Sequence, residues 1–260
     1  MNKLVYNYHT HTKRCGHASG EDEEYVVSAI KAGIKFLAFS DHVMLKGVSE
    51  PWVRGDFSQL DDYIDSIKIL KEKYKDQIDI KIGFEAEYYD EFVDYYKWLL
   101  REKVDFLILG QHNYIVNNEP RAYFHRDSPI EDIKHYTDDV IKGLETGMFK
   151  YIAHPDHFMY SQSTFTKEIE KQSRRILCKC EELDIPIEIN MCGMRRPTFN
   201  GVSYGYPCVE FFKLAKEYNV RVVLGIDAHD PSHFNQDDIE KAFAFAKACG
   251  LKVETEYFLK

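Results

Sequence analysis

Short apolar runs recur along the chain at Leu4–Tyr8, Ile34–Phe39, Ile78–Phe84, Phe106–Leu109, Tyr151–Ala153, Pro186–Ile189 and Val220–Leu224. Each has the length and composition of a buried strand. Between them lie amphipathic segments whose apolar residues return every three to four positions, the mark of a helix packed on one face. The first spans Glu21–Ala32, with Tyr25, Val26, Ala29 and Ile30 on one side. The others run Ser58–Lys75, Glu91–Arg101, Pro129–Gly147, Thr166–Leu183, Pro207–Tyr218 and Gln236–Cys249. Gly33 and Gly147 stand where helix C-terminal caps belong. Lys252–Phe258 reads as one more strand. Strict strand–helix alternation predicts a parallel sheet with helical crossovers.

An open doubly wound sheet and a closed barrel both satisfy that alternation, and the polar positions separate them. His9 and His11 end the first strand and His42 follows the second. Glu85, His112 and His154 follow the third, fourth and fifth. Glu188 and Asn190 end the sixth, and Asp227 and His229 follow the seventh. A barrel brings all of these strand ends to one face, where such enzymes place their active sites. An open sheet spreads them along a line. The reading is therefore an α/β barrel.

Composition narrows the function. The chain has 260 residues, a length that α/β barrels reach undivided, so residues 1–260 are expected to form a single domain. A formal net charge of −9 argues against a general nucleic-acid or anionic-membrane partner, since both require basic surfaces. The first residues lack the apolar stretch of a signal peptide, and no run approaches the ~18 apolar residues of a membrane span. The six cysteines are then expected as reduced thiols in a cytoplasmic protein. Cys178 and Cys180 read as small residues of an amphipathic helix.

The chemistry lies in the strand-end residues. In an extended segment residues i and i+2 point the same way, so His9 and His11 can share a metal ion. His17 follows in a polar, Gly-rich loop. Asp41 is placed to orient His42, or to cap the turn after it. Of Glu85 and Glu87, Glu85 ends the apolar run and is the better inward ligand, able to bridge two ions. Asp227 and His229 repeat the i, i+2 spacing. Seven of the 11 histidines fall at or just beyond strand ends. Seven imidazoles and two carboxylates exceed the four ligands of one zinc ion and suit two or three ions, ~3.5–4 Å apart, that activate a bridging hydroxide for in-line attack on phosphorus. His125, His135, His157 and His233 are assigned to loops or surface, with His157 and His233 close enough to touch a substrate. Met44, Trp52 and Trp98 are assigned to packing.

These residues resemble the polymerase and histidinol phosphatase (PHP) superfamily, and within it the histidinol-phosphate phosphatases, from His9 to Pro231. The resemblance implies a distorted (β/α)7 TIM-like barrel and two to three divalent ions of zinc, manganese or iron. On it, His9, His11, Glu85 and Asp227 hold one ion. Glu85, His112 and His154 hold a second, and His17, His42 and His229 a third. Glu85, His42, Asp227 and Arg195 then carry catalysis. The segment Glu188-Ile189-Asn190 with Arg195 resembles a phosphate-contacting loop, so that Arg195, Arg196, Asn190 and Arg126 are expected at the substrate. Three departures from the family pattern stand out: Asn7 for Asp, Ile226 for Ser or Thr, and Tyr160 for a phosphate-binding Arg. Arg121 or Arg126 is the candidate replacement for the last, and Glu87 or Glu119 for an acidic group receiving the substrate's ammonium. The activity implied is hydrolysis of L-histidinol phosphate in histidine biosynthesis. The alternatives are another small phosphate ester or a phosphotyrosyl protein, and, outside enzymes, an inactive metal-binding scaffold.

Overall fold

A computed structural model of the chain describes residues 2–117, 119–125, 128–196, 205–256 and 259. Seven parallel strands form one sheet in the order β1 (Tyr6–Asn7), β2 (Phe36–His42), β3 (Asp79–Ala86), β4 (Phe106–Leu109), β7 (Phe149–Ile152), β8 (Ile187–Asn190) and β9 (Val222–Gly225). Their residues are buried almost without interruption, as expected where helices cover the outside of a parallel sheet and side chains fill its inside. Helices α1 (Asp22–Lys31), α2 (Leu60–Lys73), α3 (Val93–Glu102), α4 (Ile130–Glu145), α5 (Lys167–Glu182), α7 (Val209–Ala215) and α8 (Gln236–Ala248) follow the strands. The acidic run Asp22-Glu23-Glu24 occupies the first turn of α1, where the backbone N–H groups are unpaired and negative charge is favoured.

The sheet curls into a nearly closed (β/α)7 barrel whose first and last strands meet only beyond their regular ends. Thr10 bridges Ala228, with His11 N–H donating to Ala228 O at 2.9 Å and Ala228 N–H to His9 O at 3.2 Å. Asn7 completes this seam. Its Oδ1 accepts from Ile226 N–H at 2.8 Å, while its Nδ2 donates to His9 O at 3.0 Å and Thr10 Oγ1 at 2.8 Å. An ionised Asp could accept the first bond but not donate the other two. The amide at this position is thus matched to both strand ends it joins.

Four features differ from the sequence reading. β2 extends through His42, which therefore ends the strand rather than following it. An antiparallel hairpin, β5 (Asn113–Val116) and β6 (Glu119–Ala122), interrupts the alternation between β4 and α4. A five-residue helix, α6 (Met191–Arg195), leaves β8 directly. The expected last strand is reduced to Val253 bridging Val222, with residues 257 and 258 outside the described ones. All six cysteines are unpaired, Cys180 buried and Cys178 exposed on α5. No helix of the described residues is long and apolar enough to cross a membrane.

Candidate metal centre

The C-terminal strand ends enclose a cavity of about 220 Å³. Glu85, the penultimate residue of β3, is buried at its centre. Its Oε2 lies 3.5 Å from His9 Nε2, 3.5 Å from His11 Nε2 and 3.2 Å from His42 Nδ1. Its Oε1 lies 2.7 Å from His154 Nε2 and 3.6 Å from His112 Nε2. The two oxygens of one carboxylate thus face two different sets of imidazoles. Asp227 Oδ1 stands 3.2 Å from His11 Nε2, 3.2 Å from His229 Nδ1 and 3.6 Å from His9 Nε2. The ligand atoms of His17, His42 and His229 lie within 4.8 Å of one another, as do those of His9, His11 and Glu85. Two of the converging residues, His154 at φ 30° and Asp227 at φ 49°, adopt left-handed backbone that costs a non-glycine residue roughly 1–2 kcal/mol. Such strain persists where surrounding contacts impose it.

The imidazoles are aimed from behind. Glu188 Oε1 pairs with His9 Nδ1 at 2.9 Å and leaves Nε2 turned to Glu85 and Asp227. Glu188 Oε2 accepts from His154 N–H at 3.1 Å and Asn190 Nδ2 at 2.8 Å. Asp41 is 3.4 Å from His11 Nδ1 and also accepts from Thr12 and from the backbone N–H of His42. Its aspartate orients the ring of His11, not that of His42 as its place in the sequence suggested. Glu87 Oε1 stands 3.4 Å from His112 Nδ1. Such outer partners fix the tautomer and direction of a metal-binding ring.

Gly225 and Gly110 make room for these carboxylates. A Cβ at Gly225 would fall 1.7 Å from Glu188 Oε1, and one at Gly110 2.0 Å from Glu85 Oε1. Gly225→Ala is expected to push Glu188 off His9 and to cost about 1–3 kcal/mol of stability, the usual range for overpacking a core. Denaturant unfolding reads it. A variant as stable as the parent would mean that Glu188 is not held as tightly as described.

Several buried atoms here have no hydrogen-bond partner in the protein: His9 Nε2, His42 Nδ1, His154 Nδ1, Asp227 Oδ1 and His229 Nε2. Buried polar atoms are ordinarily paired, so their concentration around two carboxylates fits a cation-binding centre. Protonation is divided across the cluster. Burial pulls His9, His11, His17, His42, His112 and His229 toward neutrality. Around His9 it is outweighed by Glu188, Asp227 and Glu85, which hold that ring's pKa well above its ordinary value. His11 is likewise pushed up to about 9, burial being opposed by Asp227 and Asp41, and His112 is raised by Glu85 and Glu87. Burial and neighbouring imidazoles lower His17, put His42 well below the ordinary range and take His229 down to about 4. Despite burial, the surrounding rings hold Glu85 and Asp227 well below the carboxylate range.

A ligating imidazole must be neutral, whereas His9 and His11 keep a proton in the metal-free cluster at pH 7. Divalent-metal binding at pH 7 is therefore expected to release more than one proton. Apparent affinity should rise with pH through about 9, where His11 loses its proton. Calorimetry in two buffers of different ionisation enthalpy measures the release, and a value below one proton would contradict this charge distribution.

The residues expected at the substrate are placed differently from the metal cluster. Arg195, in α6, donates from Nη2 to Ile226 O at 2.6 Å and Asp227 O at 2.9 Å, bracing the strained turn at Asp227 instead of lining the cavity. Asn190 is fully buried, caps α6 through the N–H groups of Cys192 and Gly193, and donates to Glu188 and to Asp227 Oδ2. It supports the cluster from behind and has no face toward a substrate. Arg126 lies outside the described residues. Arg121 pairs with Glu119 at 2.8 Å on the exposed hairpin. Arg196 lines the cavity, together with Cys192, His157 and Tyr206. His233 Nδ1 accepts from His229 N–H at 3.1 Å.

Two further assignments change, and one residue joins the site. Glu87 is fully buried and paired with Arg54 and His112, so it cannot receive a substrate's ammonium group. Trp52 is not packed but lines the cavity mouth. Arg54, buried and unremarked in the sequence, holds Glu87 through two bonds of 3.1 and 2.9 Å. Nothing in the run Pro51-Trp52-Val53-Arg54 signals this, because the partner lies just past the end of the next strand, β3.

Comparison with known proteins agrees with this architecture. The family model described as "PHP domain" matches residues 7–192. A protein named "Probable histidinol-phosphatase" from Deinococcus radiodurans is 28% identical, with 92% of this chain and 89% of that protein covered. The histidinol-phosphatase of Bacillus subtilis is 24% identical, with 93% and 98% covered. Among solved structures, the fold is similar to histidinol phosphate phosphatase from Lactococcus lactis subsp. lactis, complexed with zinc, L-histidinol and phosphate. The TM-score is 0.74 at 19% identity, covering 97% of this chain and 96% of that one.

Proposed function

Because the chain belongs to the PHP domain family, we propose that residues 1–260 form one metal-dependent phosphomonoesterase domain, a phosphoric monoester hydrolase whose substrate is L-histidinol phosphate. The observation that carries this reading is Glu85, one buried carboxylate with each oxygen turned to a separate set of imidazoles. That is the donor arrangement of a centre holding more than one ion. We take it to hold two to three divalent ions of zinc, manganese or iron, through His9, His11, His17, His42, Glu85, His112, His154, Asp227 and His229. Bound ions supply Lewis-acid polarisation of the phosphoryl oxygens and acidify a water to a nucleophile at neutral pH.

The chain's own residues do the rest. Arg196 reaches the cavity from the loop after α6, where a guanidinium can bind phosphate oxygens bidentately. His157 lies beside it and is neutral, since burial and the charges of His154, His112 and Arg196 drive its pKa well below the ordinary value. It can donate one hydrogen bond to the phosphate without adding charge. Glu188, Asp41 and Glu87 keep His9, His11 and His112 turned inward. The cavity is smaller than the ~300 Å³ at which drug-sized ligand pockets begin, which favours a small ester over a polymer. The names of the two histidinol-phosphatase relatives support the particular ester, and the unpaired thiols suit a reducing, cytoplasmic compartment. The test is phosphate release from histidinol phosphate beside a panel of phosphomonoesters, with Mn²⁺, Zn²⁺ or Fe²⁺ supplied in turn. At least a hundredfold preference in kcat/KM is expected. No preference removes histidinol phosphate and leaves the broader phosphatase reading, and no hydrolysis of any ester removes both.

A further inference from the structure

Phosphate chemistry leaves one wall of the cavity unexplained. Trp52 lines it, yet 78% of the residue is exposed. Its backbone, by contrast, is fixed. Two residues on, Arg54 is only 2% exposed. It donates from Nε to Glu50 at 2.6 Å, from Nη1 to Val43 O at 2.9 Å, and to both oxygens of Glu87. Glu50 in turn accepts from Asn113 Nδ2 at 2.8 Å. On the other side the loop bearing His17 presses against it. A Cβ on Gly16 would lie 2.2 Å from Pro51 O and 3.5 Å from Trp52 Cα. A large aromatic side chain on so constrained a backbone forgoes burial that the hydrophobic effect rewards, and a flat ligand at the mouth restores it.

Strand order says what such a ligand would be attached to. Trp52 follows β2, whereas Arg196, Cys192 and Tyr206 follow β8. These two strands are separated by β9 and β1 in one direction and by β3, β4 and β7 in the other. Their loops therefore stand across the mouth from each other, with Glu85 and the histidines between. A phosphate held at the ligand cluster beside Arg196 directs its ester group toward Trp52. We propose that Trp52 is a specificity-determining platform, on which the leaving group of the substrate stacks, and that the site selects phosphomonoesters whose alcohol bears a planar ring. An imidazole meets this requirement, and its protonated form gains a cation–π attraction to the indole. The proposal rests on the phosphomonoesterase reading above and specifies its substrate class.

The chain has two tryptophans, and Trp98 stacks on Tyr95 at 5.7 Å on α3. Trp98→Phe therefore leaves Trp52 as the sole indole reporter. In that background, L-histidinol is expected to quench the emission saturably, and alaninol, which has no ring, is not. In kinetics, Trp52→Ala is expected to raise KM for histidinol phosphate about tenfold with kcat within twofold, and Trp52→Phe to restore most of the loss. Phenyl phosphate and ethanolamine phosphate separate the platform from the choice of natural substrate. If histidinol phosphate proves unexceptional but Trp52→Ala costs phenyl phosphate about tenfold more than ethanolamine phosphate, the platform stands and the histidinol reading falls. Equal losses on ring and chain esters, or emission indifferent to L-histidinol, overturn the platform.

Discussion

Glu85→Ala is expected to lower kcat/KM by at least three orders of magnitude, about 4 kcal/mol of transition-state stabilisation, and to remove more than one equivalent of bound metal. The reason is positional. Five imidazoles stand within 3.6 Å of its two oxygens, and the carboxylate lies between the sets that would hold different ions. Removing it withdraws one ligand from each set. It also leaves His9, His11 and His112, whose raised pKa values depend in part on its charge, freer to turn. His17→Ala is the informative contrast. His17 is an exposed loop residue whose Nδ1 is 3.2 Å from Cys15 O, and it is not among the five imidazoles against Glu85, so its loss should release mainly one ion. Elemental analysis alongside phosphate release distinguishes the two variants. Near-parental turnover in Glu85→Ala, or equal metal loss in both, would show that the centre does not depend on a shared carboxylate.

Arg196→Ala should lower kcat/KM by two to three orders of magnitude while leaving bound metal unchanged. Loss of a charged group from the transferring phosphoryl is worth roughly 2–4 kcal/mol, by analogy with removal of one oxyanion donor. The neighbouring Arg195→Ala should act otherwise. Its guanidinium is engaged with the carbonyls of Ile226 and Asp227, so its removal is expected to loosen the turn that presents Asp227 and to show as weaker metal binding and lower stability. Kinetics and metal content measured on both variants decide between them. Arg195 as the phosphate contact would be vindicated by a rate loss with intact metal at that position and none at Arg196.

The barrel was legible because its strands are short buried runs and its helices keep a helical period. The strand-end polar residues stood out because a charged or imidazole side chain directly after an apolar run has no packing role. What stayed hidden depends on contacts between distant segments. The partner of Asp41 is His11, four residues past the end of the adjacent strand β1, not the residue next to it in sequence. The family resemblance puts Arg195 and Asn190 at the phosphate, but the helix α6, too short to show a period in the sequence, turns Asn190 into a cap and Arg195 into a brace. Trp52 and Trp98 are indistinguishable as letters, and only the three-dimensional path of the loop exposes one of them. The hairpin β5–β6 leaves no mark in the sequence because its eight paired residues include Pro120 and Arg121, and its outward side chains carry no alternating pattern.

The seam joining the first and last strands bears on how the protein is made. His9 and His11 leave the ribosome long before Ala228, which receives the amide of His11. The same few residues close the barrel and bring Asp227 and His229 opposite His9 and His11. A nascent chain therefore displays incomplete half-sets of ligands, and full metallation must wait until translation has passed His229. Ions that bind only the closed form then act as a latch, adding RT ln(1 + [M]/Kd) to its stability. Cellular metal supply would thus govern how long the finished barrel stays shut, as well as how fast it turns over.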